Sequence, residues 1–181
     1  MKKNIEEKIE IPQGVIVQIN KSEFAAKGPH GEVSKKILWP KVNIEIKDNI
    51  IVFSAKKATK REKRMLYTYR AHVKSMLQGV AKGFVYKLKM CASHFPMTAT
   101  VKDGEFVLQN FLGEKTPRKF KLMPGVDVKV EKEVITVKSA DKELAGQTAA
   151  SIEQLCRITD KDRRIFQDGI YIISKAETQN G

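Results

Sequence analysis

Two stretches of the chain share one alternation of apolar and polar residues. The first runs Pro40-Lys41-Val42-Asn43-Ile44-Glu45-Ile46, passes Asp48-Asn49 and continues as Ile50-Ile51-Val52-Phe53. The second runs Pro124-Gly125-Val126-Asp127-Val128-Lys129-Val130, passes Glu131-Lys132-Glu133 and continues as Val134-Ile135-Thr136-Val137. Pro40 and Pro124, Ile46 and Val130, and Phe53 and Val137 are each 84 positions apart. A period of two is that of a strand with one buried face. A short polar turn into a second β-branched run is a hairpin signal.

After each hairpin the period changes. Met65, Leu66, Tyr69, Val73, Met76, Leu77 and Val80 recur at steps of three and four, as do Leu144, Thr148, Ala149, Ile152, Leu155 and Cys156. Each set predicts a helix with one apolar stripe, which the half-buried sheet nearby can cover. The chain therefore reads as α+β: two tandem homologous domains, each a small, mainly antiparallel sheet with one helix packed on a face. The expected domains are 1–84 and 85–181, with Gly79-Val80-Ala81-Lys82-Gly83-Phe84 as the hinge. The helix offset, Leu77 to Leu155, is 78, so the first copy carries extra residues before its helix, Lys56 to Arg61 among them.

Of the 181 residues, 41% are hydrophobic and 30% charged, a balance that supports real cores rather than disorder. The sign of the charge is what stands out: 34 Lys and Arg against 21 Asp and Glu, net +13. Such a field attracts polyanions, and nucleic acid is the commonest of these, ahead of a generally basic surface with no intended partner and of an anionic membrane surface. Residues 1–84 hold 18 basic and 8 acidic side chains, and residues 85–181 hold 16 and 13. No run approaches the ~20 apolar residues of a spanning helix, and Met1 to Glu7 has no apolar core, so no signal peptide is expected. Asn20-Lys21-Ser22 then reads as a chance sequon, and the expected location is cytoplasmic.

Three segments could carry function. Lys56 to Arg64 holds Lys56, Lys57, Lys60, Arg61, Lys63 and Arg64 with the single acid Glu62. Cations at a helix start oppose its dipole, which favours phosphate contact over a merely solvated face. Asn110 to Lys121 sets Lys115, Arg118, Lys119 and Lys121 among Phe111 and Phe120. Such a loop can meet phosphates and unstacked bases, or be a strand–loop–strand connection with both aromatics facing the core, and the two can hold together. Arg157 to Tyr171 alternates in charge sign, with Asp168-Gly169 as a tight turn; on residue type alone it is a salt-bridged closing loop.

Chemistry is hard to place here. Phosphate-cradling, dinucleotide-binding and zinc-helix motifs are missing, as is a nucleophile elbow. His94, beside Phe95, has no second ligand at metal spacing, and Cys91 and Cys156 lack close pairing, so both are expected as free thiols. No catalytic residue, metal, cofactor or small-molecule substrate is expected, and the apolar helix stripes are committed to cores rather than to a membrane.

Five stretches carry a resemblance: Lys27-Gly28-Pro29-His30-Gly31, His94-Phe95-Pro96-Met97, Asn110-Phe111-Leu112-Gly113-Glu114-Lys115, Met123-Pro124-Gly125-Val126 and Phe166-Gln167-Asp168-Gly169-Ile170-Tyr171. Each is weak alone, but they span nearly the whole chain in one order. The chain resembles the family of protein six of the large ribosomal subunit, in its archaeal and eukaryotic branch, numbered nine in eukaryotes. Internal duplication is a feature of that family.

The resemblance implies a structural ribosomal protein near the base of the stalk, close to where translational GTPases dock and beside neighbouring ribosomal proteins. It implies contact with large-subunit RNA near the sarcin–ricin loop, mainly through the second domain. Carried onto this sequence, the contacts fall on Lys115, Arg118, Lys119, Arg157, Lys161, Arg163 and Arg164. Lys175 and the first-domain residues Lys57, Lys60 and Arg61 complete the expected RNA-binding set. The stretch after Leu155 lacks the Gly/Lys-rich ending of the bacterial branch, which weakens the transfer of bacterial contacts onto 157–175. The alternative is a free RNA-binding or RNA-chaperone factor; a nuclease would need a carboxylate or metal set that the sequence does not display.

Overall fold

The computed structural model describes residues 3–20, 23–37, 41–93 and 95–178. Pro40, His94 and the Lys21 and Ser22 of the sequon lie outside the described residues. The chain divides into two compact units, residues 1–83 and 84–181.

In the first unit, β1 (Lys3–Glu10), β5 (Asn43–Lys47) and β6 (Ile50–Ala58) form a sheet in the order β1-β6-β5. Between them, β2 (Ile16–Asn20), β3 (Glu23–Gly28) and β4 (Gly31–Lys36) form a second sheet. All pairings are antiparallel. Helix α1 (Lys60–Lys82) follows. Its buried face, including Leu66, Val73, Met76, Leu77 and Val80, meets strands of both sheets, where Phe24, Ala26, Ile51, Phe53 and Ala55 are buried.

The second unit repeats this order. It consists of β7 (Phe84–Cys91), the meander β8 (Thr98–Lys102), β9 (Glu105–Gln109) and β10 (Arg118–Lys121), the hairpin β11 (Asp127–Glu131) and β12 (Val134–Ser139), and helix α2 (Lys142–Leu155). One strand is added at the end, β13 (Gly169–Thr178), which pairs with β7 and gives the order β11-β12-β7-β13. Buried Leu88, Phe106, Leu108, Phe111, Ile135, Val137, Ala149 and Ile152 form one core cluster.

The fold class is α+β with tandem homologous units, and three details differ from the sequence reading. Each unit holds two small sheets around its helix rather than one. Residues 79–82 are the last turn of α1, not a hinge: Gly79 and Val80 lie on its buried face, and the Gly83 N–H still donates to the Gly79 carbonyl at 2.7 Å. Phe84 is already the first residue of β7, paired with Ser139 and Thr178, so it belongs to the second unit. The extra residues before α1 lengthen β6 to nine residues against six in β12. They bulge where Lys57 takes φ 49° and its N–H donates to Asn4 Oδ1 at 2.9 Å.

Both helices start on a side-chain cap. At α1, Thr59 and Glu62 form a capping box. Hydrogen bonds from the Thr59 side chain, then from its backbone N–H, hold the Glu62 carboxyl down at about 2. At α2, Asp141 Oδ1 accepts from the Glu143 N–H at 2.8 Å.

The helix ends are treated alike by different means. In the first unit, the β3–β4 turn lies directly on the end of α1: the His30 N–H donates to the Val80 carbonyl at 3.1 Å. A Cβ at Gly28 would sit 2.6 Å from that same oxygen, so only glycine allows the approach. Lys27-Gly28-Pro29-His30-Gly31 is thus a docking turn for a helix C-terminus, whose last carbonyls need donors. In the second unit the connection from β9 to β10 is longer, and a side chain does the work.

Candidate nucleic-acid interface

That side chain is Arg118, the first residue of β10. Its Nη1 donates to the Leu155 carbonyl at 2.6 Å and to the Arg157 carbonyl at 3.1 Å, satisfying the end of α2. Its Nε and Nη2 donate to the two carboxylate oxygens of Glu114, at 2.8 and 2.6 Å. The guanidinium lies over the buried Phe111 ring, 4.4 Å from its centroid. A planar fork makes all these bonds at once, which a lysine cannot do. Arg118 holds the Glu114 carboxyl below the usual carboxylate range, and the charge of Lys161 pulls in the same direction.

The loop that Arg118 closes has an unusual backbone. Asn110 and Leu112 both take positive φ, 58° and 51°, around a single 3-10 turn at Phe111–Gly113. Asn110 Nδ2 donates to the Pro96 carbonyl at 3.0 Å. Phe111 is buried and Phe120 packs against the core. The aromatics of this loop face inward, and its exposed charged residues are Glu114 and Lys115. Phe111 is buried and Phe120 partly so, which fits the reading of both aromatics turned toward the core.

Arg118 thereby joins two loops far apart in sequence, 110–118 and 157–168. On the second, Asp162 organises the turn. Its Oδ1 accepts from the Arg164 N–H at 2.9 Å, and its carbonyl accepts from the N–H groups of Ile165 and Phe166. The turn therefore falls at 163–165, not at Asp168-Gly169. Arg164 makes a two-pronged pair with Asp162, Nη2 to Oδ2 at 2.7 Å, and that bond holds the Asp162 carboxyl below its ordinary range. Lys161 Nζ lies 4.7 Å from the centre of the Phe166 ring. Arg157 and Arg163 are exposed, and neither has an ion-pair partner among the described residues.

The expected RNA-binding residues therefore sort into groups. Lys115, Arg157, Lys161, Arg163 and Arg164 are exposed on the two joined loops. Arg118 is at the joint, with its donors committed inside the protein. Lys119 alternates with Arg118 and Phe120 along β10 and so faces the opposite side of that strand. Lys175 is exposed on β13, where the register shifts. Lys57, Lys60 and Arg61 belong to the first unit, at the β6–α1 junction, and are exposed there.

Sequence reasoning gave no role to Asp168 beyond a turn. It is buried, at 3% exposure, and its Oδ1 accepts from the Ser93 N–H at 2.7 Å. Nothing in the sequence ties it to a residue 75 positions away. Cys156 is buried as well, and burial pushes its thiol up to about 11, whereas Cys91 is exposed. Among the described residues there is no group of acids, histidines and cysteines that could hold a metal, and no helix long and apolar enough to cross a membrane.

Residues 11–83 and 95–169 match the sequence model of a family described as ribosomal protein L6. The two segments correspond to the two units. The chain is 44% identical over 171 residues to a large ribosomal subunit protein uL6 of Methanobrevibacter smithii, covering 94% of this chain and 96% of that one. It is 43% identical to the protein of the same name from Methanococcus vannielii, covering 95% and 94%, and 43% identical to that from Methanosarcina mazei, covering 97% and 100%.

Proposed function

The chain belongs to the ribosomal protein L6 family, and from that premise we propose that it is a structural, non-enzymatic constituent of the large subunit that packs against its RNA near the sarcin–ricin loop. The relatives are large-subunit proteins, whose place is the cytoplasmic ribosome. The second unit is the main RNA-binding domain in this reading. Neighbouring ribosomal proteins at the stalk base, and translational GTPases beyond them, are its surroundings.

The observation that carries the reading is the joint at Arg118. It sets two loops side by side so that Lys115, Arg157, Lys161, Arg163 and Arg164 rise from one support. Such cations neutralise phosphates and release counterions, which gives affinity without chemistry. Contacts of this kind position a protein on folded RNA, and shape and 2′-hydroxyls supply the rest. Lys57, Lys60 and Arg61 supply a second set of phosphate contacts from the first unit.

Sedimentation of cell lysate through a sucrose cushion at low and moderate salt tests this. The chain is expected to travel with the large subunit under both conditions. A chain left in the soluble fraction at both salts would overturn the proposal in favour of a free RNA-binding factor.

A further inference from the structure

Helix α2 packs on one face of the sheet β11-β12-β7-β13, against β12, β7 and β13. On the other face, strand alternation sets out Lys87, Lys89 and Cys91 from β7 and Tyr171 from β13, and all four are exposed. Lys89 and Tyr171 stand directly opposite each other across the two strands, so their side chains are neighbours. Tyr171 borders two hollows. One is a cavity of about 470 Å³ beside Cys156 and Ile158, at the end of α2. The other is a groove of about 550 Å³, lined by Lys89, Ser93, Glu133, Arg163 and Gln167 besides Tyr171.

The Tyr171 ring is fixed before anything binds. Gly169 precedes it by two positions on the same side of β13, and a Cβ there would crowd the ring carbon Cζ and the hydroxyl oxygen at 3.2 Å. The ring therefore lies back along its own strand. Its hydroxyl donates to the Gln167 carbonyl at 2.9 Å and anchors the far end. Even so, Tyr171 stays 40% exposed, so ring surface remains open to solvent. The cations near it differ in what they are free to do. Lys87 is paired with Glu177 at 3.2 Å. Lys89 and Arg163 are exposed and have no ion-pair partner among the described residues. Glu133 is the one acid among the described residues of the groove.

A fixed aromatic ring beside two unpaired cations suits unstacked RNA, whose bases stack on aromatic planes while Lys and Arg track the backbone. An acidic protein segment would use the cations alone, so the ring decides for RNA. We propose that this groove receives one unstacked nucleotide of the bound RNA, its base on the Tyr171 ring and its flanking phosphates on Lys89 and Arg163. Every base has a π-face, so the site takes any of the four. The inference rests on the RNA-binding reading above and adds to it a stacking site on β13 and a cation on β7.

Filter binding of the full chain to deproteinised large-subunit RNA across a salt series tests it, because stacking and charge leave different marks. Tyr171→Leu should weaken binding about tenfold and leave the slope of log K against log salt unchanged. Tyr171→Phe keeps the ring and should stay within about twofold of the wild type. Lys89→Gln should lower the slope by about 0.7. Ultraviolet crosslinking of the wild-type complex, followed by nuclease and protease digestion and mass spectrometry, should place a mononucleotide adduct on Tyr171. Wild-type affinity for Tyr171→Leu would overturn the site, assign this face to a partner other than RNA and leave RNA binding standing. Equal losses for the Leu and Phe variants would overturn stacking, since only the hydroxyl anchor would then count. Failure of the wild-type chain to retain RNA would overturn the functional reading, and this site with it.

Discussion

Arg118 Nη1 lies 2.6 Å from the carbonyl oxygen of Leu155, the last residue of α2. The bond links a strand start to a helix end 37 positions later, and the Glu114 pair and the Phe111 ring hold the same guanidinium from its other sides. Arg118→Ala should therefore loosen both loops together. Hydrogen bonds from a charged donor contribute about 1.5–3 kcal/mol, and a loss of about 2 kcal/mol is expected in urea unfolding of the second unit. Arg118→Lys should recover only part of it, since an ammonium cannot reproduce the fork. Full recovery by lysine would show that charge alone holds the joint.

The two adjacent arginines should not count equally. Arg164 is already paired with Asp162, whereas Arg163 has no such partner among the described residues. In a filter-binding titration, removing one phosphate contact lowers the slope of log K against log salt by about 0.7–0.9. Arg163→Ala is expected to show that change, Arg164→Ala less, and the double variant roughly one to two units. Equal slopes for the two single variants would remove the distinction drawn here.

Gly28 makes a steric prediction in the first unit. A Cβ there meets the Val80 backbone oxygen at 2.6 Å, an atom that cannot swing aside. Gly28→Ala should cost about 1–3 kcal/mol, the usual range for overpacking, without altering the second unit. Hydrogen exchange of the amides of α1 and α2 would show the difference, with protection falling in the first helix alone.

Acid should weaken the first unit through Glu62. Its carboxyl is held at about 2 in the fold against an ordinary 4.5, so the folded state binds its proton less readily than the unfolded chain does. The resulting stability is fully present above about pH 4.5 and is lost as pH falls toward 2. Glu62→Gln should be less stable near neutrality and should respond less to acid over that window. Parallel pH profiles for the two proteins would count against the capping box as the source.

The two thiols should separate cleanly by reactivity. The thiolate is the nucleophile, and Cys156 is buried with its pKa pushed up to about 11. Iodoacetamide near neutral pH should label Cys91 in the native chain, and Cys156 only after denaturant is added. Rapid native labelling of Cys156 would mean that the cavity beside it opens freely.

The sequence showed what depends on local period and missed what depends on distant partners. The paired hairpins and apolar helix stripes were legible because each encodes its buried face within a dozen residues. The second sheet in each unit was not. Its strands are five or six residues long in the first unit, and one begins with Ile16, which is 63% exposed. Gly79 looked like a breaker, yet it lies inside α1 because packing of that face outweighs its poor helix propensity. Arg118 counted as one cation among several, since charge is visible in a sequence and the carbonyl of Leu155 is not. Asp168 looked like a turn residue for the same reason.

The duplication is not symmetrical in how its sheets end. In the second unit β13 covers β7, whereas in the first the corresponding strand, β1, has β6 as its one neighbour among the described residues. An uncovered strand is a template on which another chain can polymerise. The sequence of β1 answers this hazard: Glu6, Lys8 and Glu10 stand exposed along one side, with Lys8 and Glu6 paired at 3.5 Å. The free edge is thus guarded by charge on one copy and by an added strand on the other.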